Sequence, residues 1–441
     1  MTSGGAIRAV SAWAVLLGAS LAHATIYDTY GFGPRAASMG GAMTAEAKDY
    51  TATFYNPALL VERKDVNFGL SFQWNKLDGQ VARKDNGREL DCTYCSPPDS
   101  VGYTLGLLFP LGGKVKNRVA LGVALYVPSG KLVRVLAPER SAPFWYHYQS
   151  HPERVTIHAG LGIKIFDWWT IGLGVEALAD IVGSGAKVSV DLFNKTVKAS
   201  QIDAHLATRL APMFGLQIKP KDWLRFGVTY RSEMALKYEI PASVDLEGIG
   251  VLAFIIQGYT HYTPHIVAVG AAWDITDDFT VSIDGEYQRW SAAPSPYVDL
   301  SIDLSGDTLA ALGLDKALDI TSSVQKPGFV DTFNARIGFE YRISKRVAGR
   351  LGGFYRPTPV PKQDAPGTNI LDGNTLGIAA GLGFNFDDPL EIFQAPVNID
   401  LATQAQFLLP RESNKELTDP VPSYTYSGKM VGLTIVVRYD F

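Results

Sequence analysis

Residues 154–166 read Arg-Val-Thr-Ile-His-Ala-Gly-Leu-Gly-Ile-Lys-Ile-Phe. Val155, Ile157, Ala159, Leu161, Ile163 and Ile165 share one parity; Thr156, His158, Gly160, Gly162 and Lys164 share the other. Side chains alternate across a strand, so this stretch has one apolar face and one face of small or polar groups. A helical period of 3.6 would scatter the same apolar residues around an axis. An unbroken apolar face against a small, polar one describes a strand with lipid on one side and a lumen on the other.

The pattern repeats outward in both directions. In 64–77, Val66, Phe68, Leu70, Phe72 and Trp74 alternate with Asn67, Gly69, Ser71, Gln73 and Asn75. In 100–111, Val101, Tyr103, Leu105, Leu107 and Phe109 alternate with Gly102, Thr104 and Gly106. Further strands are expected near 118–127, 169–178, 203–218, 223–238, 262–273, 279–290, 331–343, 346–356, 374–386, 396–408 and 428–441. The total is about fourteen, an even number, as single-chain bacterial barrels have. Short turns follow the even-numbered strands, at 112–114, 167–168, 219–222, 276–278, 344–345 and 387–395. Long connections follow odd-numbered ones, among them 128–153, 239–261 and 291–330. That alternation is the topology of an all-β outer-membrane barrel with periplasmic turns and outer loops.

The last strand keeps the rule. Val431, Leu433, Ile435, Val437, Tyr439 and Phe441 lie on one face, and Thr434, Arg438 and Asp440 on the other. A terminal aromatic at this parity is expected to engage the barrel assembly machinery. Composition agrees: hydrophobic residues are 46% of 441 and mean hydropathy is only +0.04, because a barrel exposes every second side chain to lipid. The net charge of −4 argues against a nucleic-acid partner.

Residues 1–24 read as a signal peptide, with Arg8 before an apolar stretch at 9–21 and a small-x-small Ala22-His23-Ala24. The destination is the cell outer membrane of a Gram-negative bacterium. That oxidising route makes Cys92 and Cys95 a loop disulfide rather than half a metal or redox site. No GxSxG, HExxH or metal spacing among the seven histidines is present, so no enzyme activity, metal or cofactor is expected.

Residues 25–63 do not alternate, yet they are rich in small and aromatic residues and poor in charge, unlike a disordered tail. They read as an N-terminal hatch folded into the lumen, leaving 64–441 as the barrel. The Gly-rich opening at 31–41, the run Tyr55-Asn56-Pro57-Ala58 and the run Thr229-Tyr230-Arg231-Ser232 resemble the long-chain fatty acid outer-membrane transporter (FadL-type) family, which includes aromatic-hydrocarbon channels. The resemblance spans the whole mature chain. It implies Asn56, Pro57 and Ala58 in the hatch, and passive uptake by loop capture, internal binding and lateral release. The exit would lie at an inward kink of the third strand, where Gly122 and Pro128 are the kink elements. Gly122 has a plainer reading as a small lumen-facing residue.

A lumen for amphiphiles needs apolar walls and a cation for a carboxylate. Parity turns Arg154, Arg336 and Arg350 inward, and Glu286 and Glu340 stand ready to pair with such groups. The apolar run Val251, Leu252, Ala253, Phe254, Ile255 and Ile256 falls in a connection expected to face water, and reads as a capture groove. Phe144-Trp145-Tyr146-His147-Tyr148 reads as an interfacial aromatic belt, and 305–319 as a helical lid. The expected partners are long-chain fatty acids or other hydrophobic small molecules, together with outer-membrane lipids. The alternatives are an aromatic hydrocarbon channel and a general diffusion porin for polar solutes.

Overall fold

Fourteen strands pair in succession in the computed structural model, and the last pairs back on the first to close an antiparallel barrel. The structure describes residues 26–441 except 93–94, 131, 133–139, 150–152, 192–195, 247–249, 307–310, 312–319, 322–325, 389–394 and 418. The expected signal peptide lies outside the described residues, as does most of the 305–319 segment. The strands are β1 (Asn67–Arg83), β2 (Ser100–Pro110), β3 (Val119–Pro128), β4 (Thr156–Phe166), β5 (Trp169–Asp191), β6 (Thr196–Lys221) and β7 (Leu224–Arg231). They continue as β8 (Ile266–Thr276), β9 (Phe279–Gln288), β10 (Thr332–Arg342), β11 (Val347–Arg356), β12 (Thr375–Phe386), β13 (Val397–Ser413) and β14 (Tyr424–Asp440). At the seam Asn67 lies opposite Asp440 and Arg83 opposite Tyr424. Phe441 extends the ladder with two backbone bonds to Val66, at 2.8 and 3.2 Å.

The outward parity is exposed as the sequence requires, with Leu105, Leu107, Leu173, Ile283 and Leu351 all facing out. The aromatic belt lies at the short turns. Phe166 stacks on Trp168 at 5.7 Å, and Trp223 approaches Trp273 at 6.2 Å, each about half exposed. The belt is therefore not at 144–148. Phe144, Trp145, Tyr146, His147 and Tyr148 are all buried, because this loop folds down over the lumen and not outward to lipid.

β5 and β6 have 23 and 26 residues, far more than the roughly 9–11 that cross a bilayer. The surplus rises above the barrel as an arm. Strands Met234–Leu246 and Gly250–Thr263 prolong β7 and β8 in the same way, and residues 186–190 pair in parallel with 242–246. Asp299–Ser305 adds a further antiparallel edge to Gly250–Thr263. Val251, Leu252, Phe254 and Ile255 are thus strand residues of this arm and not a free loop. Both faces of that strand are partly covered, which turns an alternating pattern into a continuous apolar run.

The core fills the lumen. Helices α1 (Ile26–Tyr30), α2 (Pro34–Ser38) and α3 (Ala52–Tyr55), followed by a 3-10 turn at Pro57–Glu62, form a hatch inside the barrel. Tyr27, Phe32, Met39, Met43, Tyr50, Leu59 and Leu60 are buried there. Gly40 and Gly41 take the left-handed backbone (φ 63° and 78°) that reverses the chain after α2.

Candidate functional site

The hatch meets the wall in two chemically different ways. On the β4–β6 side the contact is close-packed. Gly162, Gly172 and Gly215 stand opposite one another on three adjacent strands, forming a transverse row without side chains. The Asn56-Pro57-Ala58 turn lies in that row: a Cβ on Gly172 would collide with the backbone of Pro57 and Ala58, and one on Gly162 would reach Pro57 O at 2.8 Å. Asn56 fixes the turn. Its Oδ1 accepts from Ala58 N (3.1 Å), while Nδ2 donates to Thr44 O (2.8 Å) and Leu216 O (3.0 Å). Thr229 Oγ1 donates to Tyr55 O at 2.9 Å, and Arg231 lies over the Phe54 ring at 4.4 Å while pairing with Asp28 at 2.5 Å. The two motifs that the sequence singled out, around Asn56 and around Thr229, touch in space.

Asn56→Ala strips two backbone carbonyls of a buried donor, at about 1–3 kcal/mol for each group left unsatisfied. Faster amide exchange across 50–60 is the expected result, with the heat-modifiable gel mobility of the barrel retained. Exchange equal to that of the unmodified protein would refute the anchoring role.

On the opposite side close packing of Met39 and Gly40 on Gly338 and Gly352 is joined by a run of ion pairs. Starting at β7, Arg225 reaches Glu46 of the hatch at 2.8 Å. Glu46 meets Arg35 at 2.8 Å, and Arg35 meets Glu340 of β10 at 2.8 Å. Arg350 of β11 then bridges Glu340 (2.7 Å) and Asp400 of β13 (2.5 Å). Arg438 of β14 closes the run, with Asp400 at 3.5 Å and Asp49 of the hatch at 2.9 Å. Cation and anion alternate throughout, so each buried charge is compensated by neighbours in a water-poor site.

Above the hatch lies a lid. Phe144–Trp145 pairs in parallel with Ile370–Leu371 across the lumen mouth. Trp145 Nε1 donates to Cys95 O at 2.9 Å, beside the disulfide that joins Cys92 and Cys95. Arg356 donates to Tyr148 Oη at 2.6 Å, and Tyr148 packs edge-on against Tyr30 of the hatch. Toward the arm, Tyr146, Tyr262, Trp290 and Phe329 gather with ring centroids 5.4–6.3 Å apart. His147 touches Trp290 edge-on, and burial, with Arg356 nearby, holds its imidazole well below the usual range. The lid thus presents a neutral ring to this aromatic cluster.

The residues expected to bind a headgroup lie among carboxylates and backbone carbonyls. Arg336 sits beneath Gly41 of the hatch and pairs with Glu286 at 3.2 Å; Arg350 belongs to the ion chain. Arg154 is buried, its Nη1 donating to Ala179 O at 2.5 Å. Gly122 is the small lumen-facing residue of the plainer reading: a Cβ there would meet Leu60 and Thr53 at 2.6 Å. β3 pairs with β2 through Pro128 and with β4 through Tyr126 without a register shift, so the ladders on both its edges run unbroken past Gly122.

The ion chain escaped the sequence reading because its members are spread from residue 35 to 438. Parity gave the inward direction of Glu340 and Arg350, but nothing in the hatch alternates, so Arg35 and Glu46 carried no signal.

A barrel of this topology, closed by a hatch and capped by an aromatic lid, is an outer-membrane channel for hydrophobic small molecules. The profile of the family described as outer membrane protein transport protein (OMPP1/FadL/TodX) matches residues 15–441, and the chain belongs to that family. It is 24% identical over 438 residues to alkane uptake protein A of Marinobacter nauticus, covering 92% of this chain and 90% of that one. The crystal structure of a Pseudomonas aeruginosa FadL homologue shares the fold (TM-score 0.61, 15% identity, 96% and 99% of the two chains). So does that of the Pseudomonas putida toluene transporter TodX (TM-score 0.59, 16% identity, 93% and 99%).

Proposed function

We propose that this channel takes up uncharged hydrocarbons, alkanes or small aromatics, in place of the fatty acids first expected. The observation that carries the reading is the neutralisation of lumen cations. Arg336 pairs with Glu286, Arg350 with Glu340 and Asp400, and Arg231 with Asp28 and Glu286. A carboxylate headgroup entering here would have to displace one of these buried carboxylates, at a cost of several kcal/mol. An apolar molecule needs only apolar walls, which Tyr146, Tyr262, Trp290 and Phe329 supply. A relative named for alkane uptake and solved structures named for toluene transport support the same direction.

In this reading Val251, Leu252, Phe254 and Ile255 form a capture surface on the arm, and the aromatic cluster is the next station. Onward passage requires the hatch to shift. Phe441, at the seam of β14, is the terminal aromatic offered to the assembly machinery.

Cells expressing the protein should accumulate labelled hexadecane or toluene faster than controls, with excess oleate a poor competitor. Trp290→Ala should reduce that uptake several-fold. Oleate competing better than either hydrocarbon would overturn the uncharged reading. A large steady ion conductance of the purified protein in planar bilayers would restore the diffusion porin.

A further inference from the structure

Outside the lumen, the lipid-facing wall from β9 to β14 holds a concavity of 650 Å³. Its floor is low because Gly349 and Ala380 point outward there. One side is a flat wall, where Phe279 and Phe339 stack at 6.3 Å and 5°. Leu351, Leu382 and Leu433 line the rest, and all three are exposed on the outer surface. The lower end opens at Tyr341 and Ile343, beside the short turn at 344–346, and so lies on the periplasmic side of the membrane. Lys345 and Arg346, in the turn that closes this end, are exposed. Arg346 is 3.4 Å from Asp387, a loose surface pair that a phosphate could share.

We propose that this trough is a binding site for one anionic phospholipid of the periplasmic leaflet. The acyl chains lie over Gly349 and Ala380, and the phosphate meets Lys345 and Arg346. A concavity within the roughly 300–1,000 Å³ of ordinary ligand pockets surrounds a chain with more atoms than a convex barrel face does. The basic rim selects the headgroup charge, and each basic residue at a membrane surface contributes about fivefold in affinity. Tyr341 stands at headgroup depth, where its ring and hydroxyl suit a boundary between chain and phosphate.

The test is native mass spectrometry of the delipidated full chain, titrated with dioleoylphosphatidylglycerol and, separately, dioleoylphosphatidylethanolamine. One phosphatidylglycerol adduct should form at much lower lipid concentration than the phosphatidylethanolamine adduct. Replacing Lys345 and Arg346 together by Gln should weaken the phosphatidylglycerol adduct about 25-fold. Ala380→Phe, which fills the trough, should weaken both adducts. Equal binding of the two lipids, or undiminished phosphatidylglycerol binding in the Gln variant, overturns the proposal. So does a barrel dimer without lipid that Ala380→Phe abolishes, since the trough would then be an interface between copies. Hexadecane displacing the phospholipid from the trough would also overturn it, and the heat-modifiable gel mobility of each variant confirms a closed barrel.

Discussion

Gly172→Leu should turn a plugged barrel into a conducting one. Gly172 lies in the middle of the transverse glycine row, bonded to β4 through Gly162 and to β6 through Gly215. Any Cβ there collides with backbone atoms of Pro57 and Ala58, which cannot rotate aside as a side-chain tip would. The wall strand is held by ladders on both edges, whereas the hatch turn is held by Asn56 and by packing. Overpacking of a filled core costs about 1–3 kcal/mol even where side chains can adjust, and a backbone collision lies at the upper end. The weaker partner yields, so the Asn-Pro-Ala turn lifts from its seat and opens a water path along β4–β6. Gly112→Leu is the control, because nothing lies within 4 Å of that position in the periplasmic turn. Single-channel recording should show porin-like conductance for the first variant and little for the second. Equal, low conductance for both, with both barrels heat-modifiable, would show that the glycine row does not seat the hatch.

The barrel was legible from sequence because its signal is local and repeated. Each strand, such as 154–166, states its own inside and outside, and every short turn fixes the direction of the next. The hatch was legible only as an exception, a segment too aromatic to be a tail. Its seating was not, because Gly172 looks like any other inward glycine until Ala58 is placed against it. Val251–Ile256 misled for a related reason: the arm covers a strand on both faces, and the periodicity that identifies strands vanishes. The role of the inward arginines was legible only in part. Parity rightly turned Arg336 and Arg350 inward, but whether an inward guanidinium meets a ligand or Glu286, Glu340 and Asp400 depends on strand neighbours far away in sequence.

The second large effect is expected at Arg35. Its guanidinium joins Glu46 to Glu340 in the run of ion pairs from Arg225 to Arg438, and it is almost saturated. Nε and Nη2 donate to the two oxygens of Glu340 at 2.8 and 2.9 Å, Nη2 also to Glu46 Oε1 at 2.8 Å, and Nη1 to Glu46 O at 2.8 Å. The side chain is 9% exposed, Glu46 is fully buried, and Glu340 is 17% exposed, so salt screens these pairs weakly. Arg35→Met keeps the length and removes the charge. Breaking a buried pair from one side typically costs about 3–5 kcal/mol, because the partner is left in a site built for a cation. Glu46 retains Arg225 and Lys48, and Glu340 retains Arg350, which places the loss at the lower end. The hatch should loosen while the barrel stays closed, so amide exchange over 34–50 rises at least tenfold and uptake of hydrophobic small molecules becomes less selective. Adding Glu340→Leu removes the stranded carboxylate and should restore part of the protection, since an apolar pair can substitute for a buried ionic one. A double variant as loose as Arg35→Met alone would mean that the guanidinium's bond to Glu46 O, and not charge compensation, holds this side of the hatch. Unchanged exchange in the single variant would mean that the ion chain does not hold the hatch.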